Sequence, residues 1–136
     1  MTTTRVPEGF GPIFRSSPVL DALGHFYSRG EGETLALGLL VSANHVNSRD
    51  MLHGGVIATF ADVGMGYLMA FGVTPPRRMV TVSLNVDFIG TAHLGDWIAL
   101  TMDPPHIGSR IAMAHARLMA GERQVARASA VFSITP

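Results

Sequence analysis

From Val80 to Phe88 apolar and polar residues alternate without a break. Val80, Val82, Leu84, Val86 and Phe88 take one parity; Thr81, Ser83, Asn85 and Asp87 take the other. Strict period two predicts a strand with one apolar face and one polar face. Trp97–Met102 predicts a second strand after the Gly95-Asp96 turn. Arg110–Met119 and Gln124–Ile134 predict two more around Gly121-Glu122. Ala112, Ala114 and Ala116 mark one face of the first, and Ala126, Ala128 and Ala130 one face of the second. Upstream, Phe26–Arg29 and Thr34–Val41 flank the turn-forming Gly30-Glu31-Gly32-Glu33 and read as a hairpin. Pro18 to Phe26 predicts a short helix that starts near Ser16 or Ser17. Ser42 to Met51 reads as a polar loop, and Pro104 to Gly108 as a break.

A helical period governs residues 54–71. Val56, Phe60, Val63 and Tyr67 form one apolar row; Ile57, Gly64, Leu68 and Phe71 form another. Ala58, Ala61, Gly66 and Ala70 fill most of what remains. A helix apolar nearly all round is predicted to be buried all round. Its glycines and alanines allow a close approach, and the Ala-rich strand faces offer a matching surface. Pro75-Pro76 ends it. The order is a helix, two strands, a long helix and four strands on short turns. It predicts an α+β fold, a six-stranded antiparallel sheet wrapped around one long central helix. The apolar stretch Val56 to Val73 approaches the length of a membrane span, but Asp62 at its middle would cost several kcal/mol in lipid. A buried helix is the better reading, with no membrane partner.

A length of 136 residues predicts a single domain over residues 1–136, with residues 1–25 as an N-terminal extension. Charged residues make up only 15% of the chain, against a usual ~25%. Surface that would carry charge is therefore expected to be covered by another subunit. The formal net charge is +0, which gives no attraction to nucleic acid or an anionic membrane. With Cys 0, thiol catalysis, disulfides and thiolate metal sites are excluded. All 10 basic residues are Arg, so Lys Schiff-base chemistry is excluded too; a bias toward GC-rich Arg codons explains this better than function does. The segment Met1–Phe10 lacks the apolar core of a signal peptide, so a cytoplasmic location is expected.

Candidate chemistry lies between Asn47 and Asp62. Gly54 and Gly55 open the long helix, where backbone N–H groups are free and the dipole is positive. Without side chains, they would let a ligand oxygen reach those donors, as in an oxyanion hole. Asp62 sits between Thr59-Phe60-Ala61 and Val63-Gly64-Met65. A carboxylate in such surroundings needs a partner or a function. Desolvation makes a carboxylate a stronger base. His53 and Asp62 are nine residues apart, so they lie on opposite helix faces and roughly 13 Å apart along the axis. One chain does not easily bring both to one substrate. Two copies with antiparallel helices across a two-fold axis do.

Asn47, His53-Gly54-Gly55 and Asp62, at these spacings, resemble the hotdog-fold thioesterases of the phenylacetic-acid-degradation type. The likeness runs on through Thr81–Phe88 and Gly95-Asp96 and covers roughly residues 35–134. It implies hydrolysis of acyl-CoA thioesters without a cofactor, CoA being part of the substrate. It also implies a homodimer or a dimer of dimers. The Gly54 N–H and the Asn47 amide would polarise the thioester carbonyl, with Gly55 beside them and His53 shaping the loop. Asp62 of the neighbouring subunit would activate water oriented by Thr81, or would attack directly to give an anhydride. Ser109 and Arg110 stand where the family binds the nucleotide end, and Arg77-Arg78 are further candidates for CoA phosphates. Such proteins often carry Gly three residues after the Asn, where this chain has Asp50; that implies a different loop conformation or a second carboxylate at the site. Alternative readings are a hotdog enoyl-CoA hydratase or dehydratase, and a non-catalytic acyl-CoA-binding protein. His25, His45, His93, His106 and His115 are scattered without metal-ligand spacing, so no metal is expected. Met65, Met69 and Met102 read as core or as lining for an adaptable acyl pocket.

Overall fold

The computed structural model describes residues 6–136, so the first five residues of the N-terminal extension lie outside the described residues. The elements run β1 (Gly11–Pro12), α1 (Pro18–Leu23), β2 (Phe26–Arg29), β3 (Ala36–Leu40), α2 (Gly54–Ala70) and β4 (Arg78–Phe88). They continue with β5 (Trp97–Met102), β6 (His106–Ile107), β7 (Ile111–Ala120) and β8 (Arg123–Thr135). All strand pairs are antiparallel, in the order β1-β2-β3-β5-β7-β8-β4, with β6 folded onto β7. The architecture is the α+β arrangement expected, a sheet around one long helix. Two strands exceed the six expected. Both β1 and β6 are two residues long, too short for alternation to mark.

Local chemistry sets the boundaries. Ser17 caps α1, its Oγ accepting from the Leu20 N–H at 3.3 Å. Gly24 (φ 75) and His25 (φ 64) turn the chain out of that helix, so it ends at Leu23 rather than running to Phe26. His45 is fully buried. Its Nδ1 accepts from the Ser42 N–H at 3.0 Å, and its Nε2 lies 2.9 and 3.0 Å from the carbonyls of Leu23 and Gly24. One imidazole therefore ties the end of α1 to the loop that carries Asn47.

The sheet covers only one face of α2. Val56, Ile57, Phe60, Ala61, Gly64, Met65 and Met69 are buried there. Opposite them lie the buried alanines Ala112, Ala114, Ala116, Ala126, Ala128 and Ala130 of β7 and β8. Small residues on the strands bring the helix close, and Gly64 lies where a Cβ would run into Leu100. The other face, with Ala58, Thr59, Asp62, Val63, Gly66, Tyr67 and Ala70, is half-exposed. The expectation of burial all round is therefore corrected: one sheet has one concave side and encloses one side of a helix. Met65 and Met69 belong to the core, while Met102 is half-buried.

Strand β4 departs from its own pattern. Its register against β8 shifts between Thr81 and Ser83: Thr81 faces Phe132, and Ser83 faces Val131. Val82 is the extra residue of a β-bulge, which inverts the parity of everything before it. Thr81 consequently shares the inner face with buried Phe132, and Leu84 shares it with buried Ala130. Val80 and Val82 are 59% and 63% exposed instead of joining one apolar face. The strand also ends the sheet, so among the described residues its outer edge is unpaired.

Candidate active site

The bulge in β4 brings together two residues that the strand pattern had placed apart. Asp62 projects from the middle of α2, and Thr81 Oγ1 donates to its Oδ1 at 2.7 Å. Among the described residues Oδ2 accepts no hydrogen bond. Both residues line a cavity of about 720 Å³ between α2, the start of β4 and the end of β8. Within a single chain Asp62 is half-buried, less enclosed than its apolar neighbours in sequence suggested.

A different set of groups gathers at the start of α2. His53 is the N-cap, and its Nδ1 accepts the Gly55 N–H at 2.8 Å. That bond takes Gly55 out of the set of free donors expected here. It also fixes the His53 tautomer, since an accepting Nδ1 leaves the proton on Nε2. The carbonyl of His53 accepts from Val56 and Ile57 at 3.0 and 3.1 Å. Among the described residues the Gly54 N–H has no acceptor. The Phe88 ring lies close by, so that a Cβ at Gly54 would come within 3.2 Å of it.

Asn47 stands beside this helix start in a loop closed on itself. Its Oδ1 accepts from the N–H groups of Arg49 and Met51 at 2.8 and 3.2 Å. The carboxamide oxygen is thus spent on the loop, and the Nδ2 hydrogens are left to donate outward. Asp50 takes φ 61, the left-handed conformation that glycine adopts freely. The loop turns through Asp50 as it would through a glycine, and the Asp50 side chain is exposed. A backbone bond from Leu52 to the Ala92 carbonyl and one from His53 to the His45 carbonyl, both 2.8 Å, hold the loop to the body.

Within one chain the site is therefore in two pieces. Asp62 and Thr81 meet on the cavity, whereas Asn47, His53 and Gly54 lie at the start of the helix, about 12 Å away along its axis. Ser109 and Arg110 are exposed in the turn between β6 and β7 and meet neither piece. Arg77 is half-buried, with its Nη1 donating to the Met69 carbonyl at 2.7 Å, so it ties down the end of α2 rather than waiting for a phosphate. The buried His45 and the bulge at Val82 were not marked in the sequence. A buried His without metal spacing gives no signal, and a bulge hides inside perfect alternation.

Comparison with known proteins gives the family and the fold. Residues 50–127 match the family model described as the Thioesterase superfamily. The Pseudomonas aeruginosa protein named "Putative esterase PA0474" is 49% identical over 130 residues, which is 95% of this chain and 97% of that one. The E. coli PaaI protein, from the phenylacetic acid degradation operon, superposes with a TM-score of 0.76 at 18% identity, covering 88% of this chain and 86% of its own. The smu.793 protein of Streptococcus mutans UA159, solved bound to acetyl CoA, gives a TM-score of 0.73 at 19% identity, covering 82% of this chain and 90% of its own. Among the described residues no helix is long and apolar enough to cross a membrane. With its hotdog fold, its family match and a close relative named as an esterase, the chain belongs to the thioesterase superfamily, whose general chemistry is thioester hydrolysis.

Proposed function

We propose that this protein hydrolyses acyl-CoA thioesters to the free acid and CoA, at a site completed by two copies of the chain. The observation that carries the reading is the Thr81–Asp62 hydrogen bond on a cavity, with Asp62 Oδ2 left open to a water. In this mechanism the Gly54 N–H and the Asn47 amide of one subunit hold the thioester carbonyl. The partner's Asp62 takes a proton from water as the water oxygen attacks the carbonyl carbon. The tetrahedral oxyanion is stabilised by the same two donors. Its collapse breaks the C–S bond, and the proton on Asp62 passes to the departing CoA sulfur. No cofactor enters the balance. The acetyl CoA held by the Streptococcus mutans relative supports a CoA thioester as substrate.

The partner is argued from the free edge of β4. It is an unpaired edge strand among the described residues, and its exposed Val80, Val82 and Phe88 would gain from being covered. A second copy paired there would cover it, and a dimer of dimers is the further assembly that the family resemblance implies. A cytoplasmic location goes with a CoA thioester substrate. The test is release of CoA from a panel of acyl-CoA thioesters, followed with a thiol-detecting dye. Asp62→Asn keeps the side-chain shape but is a poor proton acceptor, so kcat is expected to fall about 10²–10⁴-fold with the circular dichroism spectrum unchanged. No CoA release from any thioester, or a folded Asp62→Asn protein with full kcat, would overturn the reading.

A further inference from the structure

The cavity onto which Asp62 and Thr81 open has a second end, and that end is cationic. Arg15, Arg77 and Arg78 line it beyond an apolar stretch walled by Val63, Gly66 and Phe132. Arg77 is engaged with the Met69 carbonyl. Arg15 is placed differently. It comes from the N-terminal segment, and its guanidinium lies over the Phe71 ring, 5.5 Å from the centroid. The preceding Phe14 packs edge-on against Tyr67 and Phe71, with centroids 5.4 and 4.9 Å apart, and anchors the segment on α2. Arg78 begins β4 and flanks the same end. Among the described residues neither Arg15 nor Arg78 is paired with a carboxylate. Asp62 is the carboxylate of the described lining, and it sits at the opposite end on Thr81.

We propose that Arg15 and Arg78 form an anion subsite for the far end of the acyl chain, so that the preferred substrates are thioesters of dicarboxylic acids. The proposal rests on Asp62 as the hydrolytic base. Asp62, Gly66 and Ala70 share one face of the helix, and the eight residues from Asp62 to Ala70 cover about 12 Å along the axis, which an acyl chain of about ten to twelve carbons spans. A thioester carbonyl beside Asp62 then leaves the methylene chain on the apolar walls and brings a terminal carboxylate to the guanidinium groups. Arg is well matched to a carboxylate because its planar fork donates two parallel hydrogen bonds. The other anions on such a substrate are the CoA phosphates. The extended pantetheine arm carries them beyond this span.

Values of kcat/KM for sebacyl-CoA and dodecanedioyl-CoA, set against decanoyl-CoA and dodecanoyl-CoA, test the idea. The same acyl pairs carried on N-acetylcysteamine, which has no phosphate, separate the two sources of negative charge. The carboxyacyl thioester is expected to be favoured about tenfold or more on both carriers. Arg15→Met keeps an apolar stem over Phe71 and should collapse that ratio, while Arg15→Lys should keep part of it. Equal or better hydrolysis of the neutral chains overturns the subsite, as does an unchanged ratio in a folded Arg15→Met protein. If Arg15→Met slows both CoA thioesters alike and leaves the N-acetylcysteamine thioesters unaffected, the guanidinium holds phosphate and the proposal is wrong. No hydrolysis of any of these thioesters is a separate result, which removes the hydrolase reading itself.

Discussion

If the site is shared, two inactive variants with defects in different pieces should rescue one another. The pieces are Asn47 with Gly54 at the start of α2 and Asp62 with Thr81 beyond its second turn, about 12 Å away along the helix axis. Losing an oxyanion donor costs about 2.7–4 kcal/mol, so Asn47→Ala should retain no more than about 1% of kcat. Asp62→Asn should be as poor or poorer. In a mixed dimer one site collects both defects and the other collects neither. Equal amounts exchanged at random give roughly half heterodimers, each with one intact site of two, so about a quarter of wild-type activity should return. That is more than twenty times what either parent supplies, well outside assay scatter. The assay is CoA release after subunit exchange, with heterodimers verified by two different affinity tags. Verified heterodimers as inactive as their parents would place the whole site within one chain and refute the arrangement.

Three further outcomes follow from individual contacts. Thr81→Val removes the hydroxyl that fixes the orientation of the Asp62 carboxyl and should lower kcat about tenfold through misplacement of the base, while Thr81→Ser should keep most of the rate. His53→Ala loses the cap on Gly55 and should cost about 1 kcal/mol, seen as a Tm lowered by a few degrees, while His53→Asn, a good capping residue, should restore it. Burial, with a smaller contribution from the neighbouring His25, holds the His45 pKa below its ordinary value of 6.5. The unfolded chain therefore binds that proton first as pH falls, so the stability His45 contributes is present above about pH 6.5 and lost below it. Tm should drop more steeply from pH 7 to pH 5 in the wild type than in His45→Gln.

The fold was legible because its two periods are clean. The Gly95-Asp96 turn and the apolar run after it placed β5 at its observed bounds, and helical spacing placed α2 within one residue. The chemistry was legible in part. Gly54 and Asp62 stand out because a side-chain-free helix start and a carboxylate interrupt apolar surroundings, whereas Asn47, in a polar loop, is marked only by the family resemblance. What alternation could not reveal is where it breaks. The bulge at Val82 leaves the sequence of β4 perfectly periodic, yet it moves Thr81 from the outer face to the inner one. Whether a strand carries an extra residue is decided by its partner, here β8, and by the curvature needed to follow the helix. Asp50 shows the reverse limit. The missing glycine suggested a different loop, but an Asp side chain tolerates φ 61 and the turn is made all the same.

Strand β4 ties these features into one physical problem. It carries Thr81 to Asp62, walls one side of the cavity, and among the described residues has no partner along its outer edge. A bulge ordinarily blunts an edge by twisting it out of line, but here it lies near the start of the strand and leaves Ser83–Phe88 regularly paired with β8. That regular stretch holds Phe88, whose ring lies against Gly54 at the other piece of the site. A second copy pairing along this edge therefore approaches both pieces at once: its own Thr81–Asp62 end from one direction and its own Gly54 end from the other. Two-fold symmetry requires the contacts to be reciprocal, so covering one edge completes two sites. On this reading the low charge of the chain, its unburied helix face and the separation of base from oxyanion donors share one cause. In the proposed dimer, each chain would supply what the other's surface and candidate site lack.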